Sequence, residues 1–453
     1  MQPFVYTNGF VALISNKRVG SLIPNALETM SHRAWNGYFL ITSDGETFTD
    51  PADVESTSSK ICIGSCLSEP SSKSSSIILH GQIYSPPTPT FFENLSMAIN
   101  GKKLDDMVTS LGSVDADYVL AAISDDELII ARDPLGCKPL YIAKDRELVG
   151  VASEPKSLTH IGMTNVKHVK PGYLYQISST RVRSRLVRRP TIRRSKVNMD
   201  RASQNVLSNL EASVSRRVHG LKKVSVGFSG GLDSSLLALI ASRFVDVRLI
   251  SVHTSGSRDE SVPMEAARIL GLDIEQISVS YNDISELAPS LKRLFETNDL
   301  RTLSIGLGMY LNARRTHELG LDAILLGQLA DELFAGYARY LQHFSNGSDY
   351  VERMLLNDVL LSYANNLERD ERAVASFTNP ILPYTSIDLV DYALSLPIDL
   401  KLDLKNQVRK KILREAAVRA GLPHSIAMAP KKAFQYSSGL NKLVLRALRH
   451  HMV

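Results

Sequence analysis

Between Ser225 and Ser242 the chain reads SVGFSGGLDSSLLALIAS. An apolar run enters a turn carrying two glycines, three serines and an aspartate, and a helix-forming segment leaves it. Gly230 and Gly231 let the backbone come close to phosphate oxygens. A helix starting near Asp233 aims unpaired N–H groups and a partial positive charge at the same point. Ser229, Ser234 and Ser235 add hydroxyl donors. The familiar phosphate loop GxxxxGK[ST] is absent, because no lysine follows the glycines. An acid, Asp233, stands there instead. A carboxylate beside phosphates makes chemical sense when it holds a cation, most simply Mg²⁺. The bland alternative is a tight strand-to-helix turn with a capping aspartate, but two Gly, three Ser and one Asp in this context favour a nucleotide.

Such a turn must sit at the end of a strand. The pattern after residue 200 supplies one: a helix over 201–218, a strand over 224–228, a helix over 233–244 and then the strand VRLISVHT. A helix begun by Pro263 and closed at Gly271 follows, then the strand candidates DIEQISVS and DAILLG. Alternating strands and helices predict a parallel sheet covered on both faces, with ligands beyond the carboxyl ends of its strands. From about 351 the pattern is mostly helical. Residues 1–178 differ, with short apolar or alternating runs (FVALIS, GYFLITS, SIILHGQIY, YVLAAIS, ELIIARD, ELVGVAS, GYLYQIS) separated by turn residues. They predict a layered antiparallel fold. The chain therefore divides into 1–178, a linker over 179–200, and 201–453.

Composition narrows the classes. With 453 residues, 44% hydrophobic and 22% charged, the chain is expected to be a soluble multidomain protein. Three cysteines, Cys62, Cys66 and Cys137, predict no disulfide framework, and the lone C-x3-C spacing makes a poor zinc site. No membrane span or signal peptide is expected, and the predicted location is cytoplasmic. The net charge of +5 is concentrated in RVRSRLVRRPTIRRSK (181–196). That run reads as a solvated linker rather than a nucleic-acid site, because no interleaved aromatics accompany it.

The SGGLDSS stretch resembles the pyrophosphate loop of N-type ATP pyrophosphatases, which adenylate a substrate and release pyrophosphate. Other segments narrow the resemblance to asparagine synthetases of the class II glutamine-amidotransferase type. GQLADELFAGYARY (327–340) is similar to their SGEGxDExFGGY. ARDPLGCKPLYIAKDRELVGVASEPKSL (131–158) is similar to their RDPLGxKPLYY…FASExKAL. MSHRAWNG (30–37) and ILHGQIYS (78–85) resemble HRGPDG and NGEIYN. The resemblance implies an Ntn-like α+β sandwich of antiparallel sheets, followed by an adenine nucleotide α-hydrolase-like α/β sheet with a helical C-terminal part. It implies ATP and Mg²⁺ as cofactors, Asp233 and Asp331 as metal ligands, and backbone near Phe228, Val252, Leu326 and Gly327 bordering adenosine. In APKKAFQYSSG (429–439), it places Lys431 on a catalytic lysine, with Lys432 as the alternative.

The departures from that pattern carry equal weight. The resemblance implies a cysteine nucleophile at position 2, where this chain has Gln2. A carboxamide cannot ionise into a nucleophile. Cys66 stands where an arginine would grip the glutamine carboxylate. His80 replaces an oxyanion-hole asparagine, though Gly81 is kept. These changes predict a glutaminase-like domain without glutaminase chemistry. In the second half, Gln328 replaces a glutamate near the acceptor, and Ser304 replaces an arginine tied to aspartate recognition. The expected function is an ATP-dependent amide-forming ligase of amino-acid biosynthesis type. It would activate a small-molecule carboxylate as an acyl-adenylate and pass it to ammonia or an amine. A β-lactam-synthetase-like enzyme and a non-catalytic ATP-binding regulator are the alternatives. The amine could come from solution or from a separate donor, and a homodimer is open.

Overall fold

The computed structural model describes residues 5–68, 77–85, 89–101, 103–254, 260–430 and 440–450. The chain forms two compact units, Met1–Arg189 and Pro190–Val453.

Among the described residues, unit 1 has twelve strands: β1 (Val5–Ser15), β2 (Tyr38–Thr42), β3 (Thr47–Phe48), β4 (Ile61–Leu67), β5 (Ile77–Ile83), β6 (Ala116–Ser124), β7 (Glu127–Arg132), β8 (Tyr141–Lys144), β9 (Leu148–Ala152), β10 (Lys167–His168), β11 (Tyr173–Ile177) and β12 (Val182–Leu186). Side chains alternate between faces with period two, and the sequence uses that alternation to make four layers. Phe10, Ala12 and Ile14 of β1, Ile78 of β5, Val119 and Ala121 of β6, and Val149 and Val151 of β9 meet in one central core. Their neighbours point outward. Ile77, Leu79, Leu120 and Ala122 pack under helices Pro89–Asn100 and Leu104–Gly112. Val11, Leu13 and Ala152 pack under helices Ile23–Glu28 and Pro155–His160. The expected α+β sandwich is therefore present. Its pairings are antiparallel except at β1–β5, which run parallel. The long β1 also pairs with β4 and β9, so it joins both sheets.

The basic run read as a linker contains β12, which pairs antiparallel with β11 at the edge of the sheet. All five of its residues are exposed. Arginines on an edge strand discourage edge-to-edge association.

Unit 2 has a five-stranded sheet of β13 (Lys223–Gly227), β14 (Asp246–Thr254), β15 (Ile274–Val279), β16 (Ala323–Leu325) and β17 (Pro380–Ile381). All pairs are parallel, in the order β15-β14-β13-β16-β17. Successive strands leave β13 in one direction as far as β15, then the chain returns to place β16 on its other side. The crevice beyond β13 and β16 is thus a topological switch point, where α/β sheets bind ligands. Helices Met199–Val218, Leu232–Ala241, Ser261–Leu270, Tyr281–Phe295 and Leu300–Glu318 accompany the sheet. Gly271 closes the third of these in the left-handed conformation, φ 67°, as its position after the last apolar residue predicts.

Candidate functional site

The glycine-rich turn runs from the end of β13 into helix Leu232–Ala241, with Gly231 at the N-cap. Gly230 has φ 69°, and a Cβ there would approach the Val262 carbonyl oxygen to 2.9 Å. Positive φ and close backbone approach together require glycine. The loop's donors turn inward. Ser229 N–H donates to Ser234 Oγ at 3.3 Å, and Gly231 N–H donates to Ser229 Oγ at 3.4 Å. Ser235 Oγ is buried with no hydrogen-bond partner among the described residues.

The second arm of the site follows β16. Leu326 N–H donates to Ile381 O, and Gly327 lies against Asp233, where an added Cβ would come within 3.4 Å of Asp233 Cβ. Gln328 is half-buried. Leu329 then adopts φ 76° and starts the short helix Ala330–Leu333 bearing Asp331. A branched aliphatic residue in that region is strained, and such positions gather at functional sites. Ala335 (φ 56°), Gln407 (φ 54°) and Lys410 (φ 57°) are in the same class, and all four lie on the segments flanking Asp331 and Lys410.

The central feature is Lys410, which the sequence reading missed. It follows the hairpin Leu402–Asp403/Val408–Arg409 and caps helix Lys411–Arg419. Its Nζ lies 2.6 Å from both carboxylate oxygens of Asp233 and 2.5 Å from Asp331 Oδ1. Burial opposes its charge, but the two carboxylates outweigh burial and hold its pKa above the ordinary lysine value. Gly336 makes room for this contact. A Cβ there would sit 1.9 Å from Asp331 Oδ1 and 2.3 Å from Lys410 Cε. Arg409 donates to Gly336 O at 2.8 Å and ties the hairpin to the same turn.

Asp233 and Asp331 converge on the Lys410 ammonium. Two carboxylates present hard oxygen ligands, and no group of three or more potential metal-binding side chains exists among the described residues. Carboxylate oxygens are the ligand type Mg²⁺ takes, and here both carboxylates contact Lys410 Nζ.

Glu332 lies behind Asp331. It accepts from Tyr337 Oη at 2.5 Å and from Asn366 Nδ2 at 2.6 Å. Burial first, with Asp331 adding repulsion, raises its pKa, against the tyrosine hydrogen bond. Asn366 belongs to a π-helical turn, Tyr363–Leu367, an element that often aims side chains at functional sites.

Other expectations fall differently. Phe228, Val252 and Leu326 are buried at the ends of β13, in β14 and after β16. The Val252 side chain packs into the apolar core with Ile284 and Leu307. Ser304 is fully buried and donates to Leu300 O and to Asn441 Oδ1 on helix Leu440–His450. It is packed between helices. Lys431 and Lys432 lie outside the described residues. The chain leading to them is anchored by Arg414, whose Nη1 donates to Ala427 O at 2.6 Å and Ala429 O at 3.0 Å.

In unit 1, Gln2 lies outside the described residues. Cys66 is buried on β4, and burial pushes its thiol up to about 12. It is a thiol at neutral pH, and a thiol is a poor nucleophile. His80 is buried on β5, with Nδ1 3.5 Å from Ser153 Oγ. At Gly81 (φ 122°) a Cβ would meet Asp117 O at 2.0 Å. Nearby, Glu154 is fully buried and engaged by Arg33 Nε, His32 Nε2 at 3.0 Å and Lys156 Nζ at 2.6 Å.

Similarity to known proteins agrees with this architecture. The asparagine synthase family model matches residues 205–349 and 343–452, and a glutamine amidotransferase domain model matches 99–160. The chain belongs to the asparagine synthase family. A protein of Methanocaldococcus jannaschii named as a glutamine-hydrolyzing asparagine synthetase is 30% identical over 399 residues, 75% of this chain and 72% of its own. Asparagine synthetase B of Escherichia coli is 26% identical, covering 70% of this chain and 59% of its own. A mimivirus relative, named as a probable asparagine synthetase, is 25% identical over 72% and 64%. The chain thus spans less than two thirds of the length of the latter two.

Proposed function

We propose that unit 2 is an ATP-dependent amide-forming ligase and that unit 1 keeps a glutaminase fold without glutaminase chemistry. The observation that carries the reading is the Asp233–Lys410–Asp331 cluster at the switch point, beside the SGGLDSS turn. In this reading the pyrophosphate part of ATP lies in the turn, against the glycine backbone and the hydroxyls of Ser229, Ser234 and Ser235. Mg²⁺, held by Asp233 and Asp331, would supply charge neutralisation for the phosphates. Lys410 adds a fixed positive charge aimed at the leaving pyrophosphate, where developing charge is stabilised most. A substrate carboxylate oxygen attacks the α-phosphorus, and pyrophosphate leaves. Ammonia or an amine then displaces AMP to give the amide. The buried thiol of Cys66 and the carboxamide at Gln2 favour an amine that does not come from glutamine hydrolysed by this chain.

Ser304, where an aspartate-binding arginine is expected, is committed to Leu300 and Asn441. That observation favours a carboxylate substrate other than aspartate. The test is ATP–pyrophosphate exchange over a panel of carboxylic acids that includes aspartate, with and without ammonium and glutamine. Exchange dependent on one acid is expected. Nucleotide binding with no exchange for any acid would favour the regulatory reading, and glutamine-dependent product from pure protein would reject the reading of unit 1.

A further inference from the structure

The basic run gives unit 1 an edge that the reaction above does not use. β12 ends the strand order of its sheet, and among the described residues no strand pairs with its outer side. The hairpin with β11 fixes which backbone groups face outward. Ser178 N–H donates to Arg181 O at 2.8 Å, and Val187 N–H donates to Gly172 O at 2.8 Å. Between these two bonds the register sets Gln176 opposite Arg183 and Leu174 opposite Arg185. Every second pair of an antiparallel ladder exchanges hydrogen bonds. Arg181, Arg183, Arg185 and Val187 therefore turn their N–H and C=O groups toward β11. Those of Val182, Ser184 and Leu186 point off the edge.

The two faces of β12 carry different chemistry. Arg183 and Arg185 share a face with Leu174, which packs with Met107 and Leu111 of helix Leu104–Gly112. The Arg183 guanidinium is exposed, with no hydrogen-bond or ion-pair partner among the described residues. Arg185 meets Asp105 at 3.2 Å, and both side chains are more than half exposed, a pairing of little worth in water. The other face holds Val182, 38% exposed, and Leu186, 50% exposed. Leu186 stands opposite Tyr173 and Ser184 opposite Tyr175. Those two rings are partly exposed, with centroids 6.2 Å apart. An open edge with exposed apolar side chains is a template for a further strand.

Three occupants can be weighed against this geometry. A nucleic acid would find the arginines on one face and the tyrosines on the opposite one. A second copy of β12, paired about Ser184, would set Arg183 against Arg185, and like charges directly opposite weaken a ladder. An extended segment with acids at alternate positions matches the edge groups and both faces at once. We propose that β12 is a docking edge for an acidic, extended segment of a partner protein, added to the sheet as a further strand. Its apolar side chains lie with Val182 and Leu186, and its carboxylates lie with Arg183 and Arg185. The proposal does not depend on the adenylation reading.

The test uses the full chain and fluorescein-labelled peptides, read by fluorescence anisotropy. A peptide alternating valine and glutamate is expected to bind roughly tenfold tighter than one alternating valine and lysine, or than the same valines and glutamates in two blocks. Equal binding of the three overturns the proposal. Ser184→Pro removes an N–H that points off the edge and spares the ladder to β11. It should abolish peptide binding with every arginine in place and thermal unfolding unchanged, and binding that survives overturns the proposal. Should Ser184→Pro lower the unfolding temperature, the double variant Arg183→Glu/Arg185→Glu decides. It should turn the preference to the lysine peptide, and an unchanged preference overturns the proposal. A labelled single-stranded oligonucleotide that binds as tightly as the glutamate peptide would show only an anion-attracting surface and overturn it. Self-association in sedimentation that Ser184→Pro removes would give the edge to a second copy and overturn it as well.

Discussion

The two units each bury an ion cluster near strand ends, and the clusters differ in stoichiometry. In unit 1 a single carboxylate, Glu154, is surrounded by Arg33, His32 and Lys156. In unit 2 two carboxylates share the one ammonium of Lys410. The first cluster is saturated with basic groups. The second sets two carboxylates around one ammonium, with the Arg414 guanidinium also acting on Asp233. Backbone strain follows the second cluster, at Leu329, Ala335, Gln407 and Lys410. A buried ion pair is therefore weak evidence of chemistry by itself. The unbalanced one, held by strained backbone, is the candidate site.

The largest effect expected from that contrast is in unit 2. Asp233→Asn should lower pyrophosphate exchange on the order of 10⁴-fold, ~5.5 kcal/mol in barrier, with little change in the unfolding of unit 1. Exchange that survives in this variant would remove the distinction between the clusters. The saturated cluster should respond the opposite way. Arg33→Met strips the buried Glu154 of a cation and should cost unit 1 about 3–5 kcal/mol in denaturant unfolding. Exchange per folded molecule should stay within twofold. A loss of exchange without a loss of stability would make the unit 1 cluster functional.

A smaller effect concerns pH. Burial and the neighbouring Asp117 raise Asp133 to about 6, against Arg132 and the N–H donors of Leu135 and Gly136. Its ordinary value is 3.8, so between the two values the folded state holds a proton that the unfolded chain has released. Unit 1 should then lose stability as pH rises from about 4 to 6 and stay level above, a change of ~3 kcal/mol. The measurement is the pH dependence of unfolding in wild type minus that in Asp133→Asn. A flat difference would show that Asp133 does not titrate in this window.

Much of unit 2 was legible because its chemistry is local. SGGLDSS and the acid of GQLADE each sit at one strand end, and period-two and helical patterns located those strands. Lys410 was not legible. It lies 177 positions from Asp233, in a left-handed conformation after a short hairpin, where sequence offers only a lysine pair opening a helix. Ser304 stands by resemblance at the position of an arginine tied to aspartate recognition, and its hydroxyl bonds back to Leu300 and across to Asn441, contacts that no spacing announces. ERDER reads as a solvated charge run, but Asp370 within it is buried. In unit 1 the alternation gave both faces of the strands, while β12 hid in a run whose composition suggested only a linker.

β1 has a consequence for how the chain acquires its shape. Its residues Val11–Ser15 pair with Leu148–Ala152, so this strand leaves the ribosome long before that neighbour exists. At ordinary elongation rates the interval is on the order of 10 s. During it, the edge of this apolar strand opposite β4 stays open. Distant pairing of this kind slows folding, which makes the completion of β9 the event that covers this edge of β1 and the time before it a period in which nascent chains are open to wrong partners.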